Sequence, residues 1–441
     1  MQKIHFISLG CDKNLVDSEQ MIGLLSAHGF EITYDETKAD AIIINTCAFI
    51  GDAKEESINT IISAADNKIN GNCKALIICG CLAERYFEQI SEELPEVDGV
   101  IGTTAFDKVL EVVNKTLEGE KSFVKDHIDR LVYLKGHRAL SSGGHYAYLK
   151  IAEGCNKHCS YCAIPLFKGA YRSVPMEDLI EDAKMLADSG VKELIIVAQE
   201  TTLYGMDLYG EKSLHKLLTK LCEIKGIMMI RLLYAYPEEI TDELIDVMAK
   251  EDKICKYIDM PIQHASDEIL KRMGRRTKKA DLIDIIKRLR DKMPDISIRT
   301  TLISGFPGES EKNHEELLDF VREIKFDRLG VFPYSPEEGT KAAMMSDQVD
   351  AELAKDWSDE IMALQQDIAF EAAKNNIGKT FLCIVEGVDP ENNVYVGRTY
   401  KDAPEVDGLI FIETEENLMT GDMAYVKVTG AYEYDLIGEL A

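Results

Sequence analysis

The stretch AEGCNKHCSYCAIP, residues 152–165, places Cys155, Cys159 and Cys162 within eight positions and offers no fourth thiol. A metal site closed by protein alone normally carries four ligands, presented as pairs on a zinc scaffold. Three thiolates on one short loop instead suit a [4Fe–4S] cluster whose fourth iron is left to a ligand from outside the protein. A zinc site completed by His158 is disfavoured, because that residue sits inside the loop between two of the thiols.

The loop follows YLKIA, residues 148–152, the first of six apolar runs; the others are ELIIVAQ, MIRLLYAY, YIDMPIQ, SIRTTLISG and RLGVFPY. Helical stretches separate them, and repeated β/α units predict a parallel barrel or partial barrel with its active site at the C-terminal ends of the strands. The three thiols therefore belong at the barrel mouth.

Upstream, IHFISL, ADAIIIN and KALIIC alternate with helical patterns at 16–29, 52–69 and 84–93, which predicts a separate parallel α/β domain. Cys11, Cys47 and Cys81 lie just past the ends of these three strands. Loops at such ends converge on the ligand-binding edge of a parallel sheet. Again there are three thiols and no fourth. Cys79 lies at the end of its strand and is the alternative, set against the core, so Cys81 is preferred by position; Cys73, Cys222, Cys255 and Cys383 lack partners and read as structural.

Between these regions GHRALSSGGHY, residues 136–146, reads as a linker. After the last barrel run, Val349, Leu353, Trp357, Ile361, Leu364, Ile368 and Ala372 repeat at helical spacing, with Gly378 as the expected C-cap. From about 379 the pattern turns to short β-type runs broken by turn residues, as in a small all-β barrel. The expected domains are thus 1–135, 147–375 and 376–441.

The 441 residues carry a formal net charge of −28 and 11 cysteines, an odd number that argues against a disulfide framework and for metal or redox chemistry. The N-terminus lacks the apolar core of a secretory signal, and a cytoplasmic location with no membrane association is expected. Such a charge repels phosphate backbones and attracts basic partners. Residues 379–441 hold four Lys or Arg against thirteen Asp or Glu, so the terminal barrel is expected to face protein. One basic stretch, LKRMGRRTKK at 270–279, opposes this and reads as a solvated helix start.

The trio at Cys155, Cys159 and Cys162, with Tyr161 before the last thiol, resembles the signature of the radical S-adenosylmethionine enzymes. Together with the upstream trio and the terminal barrel, the whole chain is similar to the methylthiotransferases. The phrases LGCDKNLVDSE, NTCAF, GCLAERY, VAQETTLYG, RLLYAYPEEI, YIDMPIQHASDEILKRMGR, TLISGFPGE and FDRLGVFPYSPEEGT are most similar to the branch acting on small-subunit ribosomal protein uS12.

That resemblance implies two [4Fe–4S] clusters and S-adenosylmethionine, which serves as methyl donor and as source of a 5′-deoxyadenosyl radical. It implies sulfur delivery through the cluster at Cys11, Cys47 and Cys81 to the β-carbon of an aspartate in uS12, free or within the small ribosomal subunit. An external electron donor is implied as well. Tyr161 is expected near the adenine, Gln199 of VAQET near the methionine amine, and Gly305 of TLISGFPGES where backbone approaches the cofactor. Lys168 stands where relatives commonly show Arg. A tRNA adenosine methylthiotransferase is the alternative within this chemistry, disfavoured by the acidic terminal barrel. An iron–sulfur RNA-binding or sensor protein without turnover is the alternative outside it.

Overall fold

The computed structural model describes residues 1–441. The first region forms a six-stranded sheet from β1 (Lys3–Ser8), β2 (Glu31–Ile32), β3 (Ala41–Thr46), β4 (Ala75–Gly80), β5 (Gly99–Ile101) and β6 (Ser122–Val124). Its order is β2-β1-β3-β4-β5-β6 and every pairing is parallel. Strand β3, AIIINT, is buried at all six positions, as expected when helices cover both faces of a parallel sheet. The covering helices include α1 (Asp12–Ala27) and α2 (Gly51–Asn70). The helix expected over 84–93 is two, α3 (Cys81–Arg85) and α4 (Phe87–Glu93), broken at Tyr86, whose backbone leaves the helical region.

The segment read as a linker is pinned down. Arg138 pairs with Glu19 of α1 at 2.8 Å, and the Ser141 amide donates to the same carboxylate at 2.9 Å. Strand β7 (Tyr146–Lys150) follows, and β8 (Ala152–Glu153) and β9 (Arg172–Ser173) form a small antiparallel pair around the cysteine loop. The central sheet continues with β10 (Glu193–Val197), β11 (Met229–Leu232), β12 (Ile254–Asp259), β13 (Ser297–Ser304) and β14 (Arg328–Pro333). Its order, β14-β13-β12-β11-β10-β7, is all parallel and does not close, so it is a partial barrel as the six runs predict.

Strand alternation separates its two faces. Leu194 and Ile196 join the large core under the outer helices, whereas Ile195 and Val197 point into the concave side. That concave side is filled by the neighbouring domains: Val16 of α1 and Ala403, from the terminal region, complete its apolar cluster.

The helix Ala351–Lys374 buries Trp357, Ile361, Ala369 and Ala373, while Leu353 of the expected stripe is exposed and Val349 precedes the helix. Its C-cap is Asn375; Gly378, with φ +88°, turns the chain into the terminal barrel instead. That barrel is closed, in the order β15-β16-β17-β19-β18, from β15 (Thr380–Asp389), β16 (Val394–Arg398), β17 (Ile410–Glu413), β18 (Met423–Tyr432) and β19 (Asp435–Leu440). The segment between β16 and β17 reaches into the partial barrel. There Arg299 meets Asp407 at 3.3 Å, Arg328 pairs with Asp402, and Arg231 donates to the Tyr400 carbonyl at 2.7 Å. No helix is long and apolar enough to cross a membrane.

Candidate active site between two cysteine trios

Cys155 follows Gly154, whose φ of +79° suits glycine, and a Cβ there would fall 2.1 Å from the Ala170 carbonyl oxygen. The tight turn folds the loop back over the end of β7. Within it the Lys157 amide faces the Cys155 sulfur at 3.5 Å and the Cys162 amide donates to the Cys159 carbonyl at 3.0 Å. Burial raises the Cys155 thiol to about 11 and the Cys162 thiol to about 12, and the neighbouring cysteines add to both. Such thiols stay protonated until a cation takes the thiolate form.

The second trio is assembled from separate strand ends. A Cβ on Gly10 would lie 2.9 Å from the Cys47 sulfur, which sets Cys47 beside Cys11. Asn14 of α1 holds the arrangement: its amide nitrogen donates to the Thr46 carbonyl at 3.0 Å, and its oxygen lies 3.6 Å from the Cys81 sulfur. Burial first, then the charges of Cys11 and Cys47, push the Cys81 thiol well up, against the pull of Lys168. Cys79 is fully buried within β4 against the Ile44 carbonyl, as its position implies.

No three His, Cys, Asp or Glu side chains close round one point tightly enough for a single metal ion. A lone zinc holds each thiolate at about 2.3 Å, drawing the sulfurs close together. A four-iron cluster takes its thiolates on separate corners, and the all-thiol donor set of each trio suits that group.

A buried charge network joins the two sites. Lys168 lies 3.4 Å from Glu153, beside the radical-type loop, and 3.5 Å from Asp17 of α1. Lys150 pairs with both of the same carboxylates. Lys168 acts here as an internal cation at the seam.

At the mouth, several polar atoms make no hydrogen bond: both carboxylate oxygens of Glu200, the Gln199 oxygen, and the Ser304 and Tyr334 hydroxyls. All stand at or just beyond strand ends. Glu200 is fully buried; burial pushes its carboxyl up to about 7 against the pull of Lys157, whose ammonium is 3.5 Å away. The Gln199 nitrogen donates to Glu153. A buried carboxylate whose one ion pair is the 3.5 Å contact to Lys157 thus stands beside Gln199, whose amide is already engaged by Glu153. Sequence reasoning named Gln199 and passed over Glu200; the signal was a carboxylate three positions past a strand of wholly buried residues.

Tyr161 packs edge-on against Phe306, ring centroids 6.5 Å apart, and Phe306 in turn against Tyr334 at 5.4 Å. This aromatic wall stands beside the loop. At Gly305 a Cβ would lie 2.1 Å from the Ala354 Cβ, so glycine lets the long helix approach. In the basic stretch, Arg275 is buried and stacks 4.4 Å from the Tyr236 ring, and Arg272 lies 2.5 Å from Asp347. Those two are structural members of the mouth; Lys271 and Arg272 end the helix Asp267–Arg272, and only Lys278 and Lys279 stand at a helix start, that of Lys279–Lys292.

Three family descriptions match in succession: Uncharacterized protein family UPF0004 over residues 3–102, Radical SAM superfamily over 149–321 and TRAM domain over 377–441. A protein of Lachnoclostridium phytofermentans named ribosomal protein uS12 methylthiotransferase RimO is 56% identical, covering 99% of both chains. The chain belongs to the uS12 methylthiotransferase family. Members bearing that name from Clostridium botulinum strain Hall and Acetivibrio thermocellus are each 49% identical, over 99% and 100% of this chain and 97% and 98% of theirs.

Among solved structures, the radical S-adenosylmethionine methyltransferase TsrM of Kitasatospora setae superposes with a TM-score of 0.56 at 14% identity, covering 76% of this chain and 77% of its own. The cobalamin-dependent radical enzyme OxsB gives 0.54 at 13% identity over 82% of this chain and 56% of its own. At these identities the likeness speaks for the fold.

Proposed function

We propose that this chain is a radical S-adenosylmethionine methylthiotransferase that modifies an aspartate of ribosomal protein uS12 at its β-carbon. The carrying observation is the pair of cysteine trios, each one ligand short, at the strand ends of two adjoining parallel sheets. Family membership supports the substrate, and so does the acidic surface, since uS12 must bind an RNA phosphate backbone and is expected to be basic.

When bound, two [4Fe–4S] clusters and S-adenosylmethionine supply the sulfur, the methyl group and the hydrogen-abstracting radical. The chain's own part is placement. Cys155, Cys159 and Cys162 hold one cluster and Cys11, Cys47 and Cys81 the other; Glu200 takes the methionine amine, and the wall of Tyr161 and Phe306 flanks the adenosyl side. Lys150, Lys168, Asp17 and Glu153 fix one trio against the other through fully buried charges, which resist separation because each would be left unpaired in low dielectric.

An external one-electron donor serves the radical-type cluster, the enzyme works inside the cell, and uS12 is taken free or in the assembled small subunit. Purified uS12 and tRNA, offered separately to the anaerobic cluster-loaded enzyme with S-adenosylmethionine and a reductant, decide the substrate by mass. Methylthiolation of a uS12 aspartate is expected; modification of tRNA alone would overturn this reading.

A further inference from the structure

Helix α2 carries apolar side chains on two faces. Its inner face buries Ile61 and Ala64 in the domain core, but Ile58, Ile62 and Ile69 form a second stripe at 47%, 58% and 64% exposure. Beside that stripe runs a groove of about 710 Å³ between α2 and α4, walled by Ile58, Tyr86 and Leu94. An apolar stripe opening on such a groove is unusual on a surface otherwise so strongly charged, and such patches mark interaction sites.

The groove ends at the active-site seam. Gly51 and Lys54 line it, four and seven positions after Cys47, and Leu82 follows Cys81 directly. At that end Lys54 pairs with Glu337 at 2.8 Å and the Tyr86 hydroxyl faces Glu338 at 3.3 Å, on the loop after β14. Phe49, two positions from Cys47, is 47% exposed. Apolar surface thus continues from the outer groove toward the second cysteine trio.

Charge selects the occupant. Glu55 and Glu93 line the groove and form no ion pair, whereas its one lining cation, Lys54, is held by Glu337, which also engages Arg85. The free potential is negative, which repels nucleic acid and a second copy of a chain at −28, and attracts a basic segment.

We infer that the groove between α2 and α4 is a docking site for a segment of the protein substrate that carries apolar and basic side chains and lies apart from the modified aspartate. This rests on the reading of uS12 as substrate. The segment anchors the substrate on the domain of the second trio and leaves its target loop free to enter the seam.

The test uses the full cluster-loaded enzyme with purified uS12. Ile58→Asp/Ile62→Asp alters exposed side chains only, and Glu55→Lys/Glu93→Lys reverses the rim charge. Each pair should raise the KM for uS12 by roughly tenfold or more, the scale of an interface anchor, while kcat and 5′-deoxyadenosine formation without uS12 stay unchanged. Direct binding of uS12 to the iron-free protein should weaken in parallel. Unchanged KM and binding in both variants would overturn the inference. So would light scattering that shows a dimer converted to monomer by the isoleucine variant, since the groove would then be covered by a second copy. If the native enzyme leaves uS12 unmodified, it is the proposed function that fails, and the binding comparison of native and variant proteins still decides the groove.

Discussion

Glu193 of the central sheet and Arg398 of the terminal barrel meet at 2.7 Å, both buried, while the other carboxylate oxygen takes Arg231 at 2.7 Å. Burial alone would raise this carboxyl, but Arg398 and Arg231 hold it at about 2, below its ordinary 4.5. A carboxyl depressed in the fold stabilises above its unfolded pKa, and that contribution is lost as pH falls from about 4.5 toward 2. Glu193→Gln should cost roughly 3–5 kcal/mol at neutral pH by stripping the buried Arg231 of its one carboxylate and leaving Arg398 only Glu386. It should also flatten the acid limb of a plot of Tm against pH; an acid limb equal to the native one would refute the assignment.

Removing one thiol from each trio separates their duties. Cys155→Ala and Cys81→Ala should each halve the iron content, from about eight to about four atoms per chain. Only Cys155→Ala should abolish 5′-deoxyadenosine formation, whereas Cys81→Ala should keep that activity and lose methylthiolation. Iron assay and product chromatography read both.

Glu200→Gln should weaken S-adenosylmethionine binding by about 10- to 100-fold, the range for a lost hydrogen bond to a charged group. Gln199→Ala should cost less, since the amide is already engaged by Glu153. Calorimetric titration of cluster-loaded protein ranks the two, and the opposite ranking would return the amine site to Gln199.

Glu337 is buried against Lys54 at 2.8 Å and Arg85 at 3.0 Å, and Ala342 on the same loop donates its amide to the Ser160 carbonyl at 2.8 Å, between Cys159 and Cys162. One loop therefore grips both halves of the site. Glu337→Gln should lower methylthiolated product per 5′-deoxyadenosine released, with iron content preserved. An unchanged ratio would make the contact merely structural.

Gly305→Ala should destabilise the iron-free protein by about 2–4 kcal/mol, combining overpacking with left-handed backbone strain. Ala354→Gly, which removes the opposing Cβ, should recover part of that loss in denaturant titration. No recovery would show that backbone strain alone carries the cost.

Period and punctuation made the strands and both trios legible, because a thiol just past a buried run is a local pattern. What escaped depends on contacts between remote segments. The linker-like GHRALSSGGHY is fixed by Glu19, more than a hundred residues upstream, and its polarity gave no hint of that. Arg275 looked solvated among other cations because its partner, the Tyr236 ring, sits on another strand end. Glu200 was overlooked because a single carboxylate among 78 acidic residues gains meaning only from its burial.

The segment between β16 and β17 gives the terminal barrel a second task. It is a stopper for an unclosed vessel, and Arg231, Arg299 and Arg328 are the fittings that receive it. The unit that evolution or an engineer can exchange is then larger than the barrel. A chimera given a different terminal barrel, to redirect the chemistry from one class of substrate to another, must bring a stopper cut to these three arginines, or its catalytic centre is left open from below.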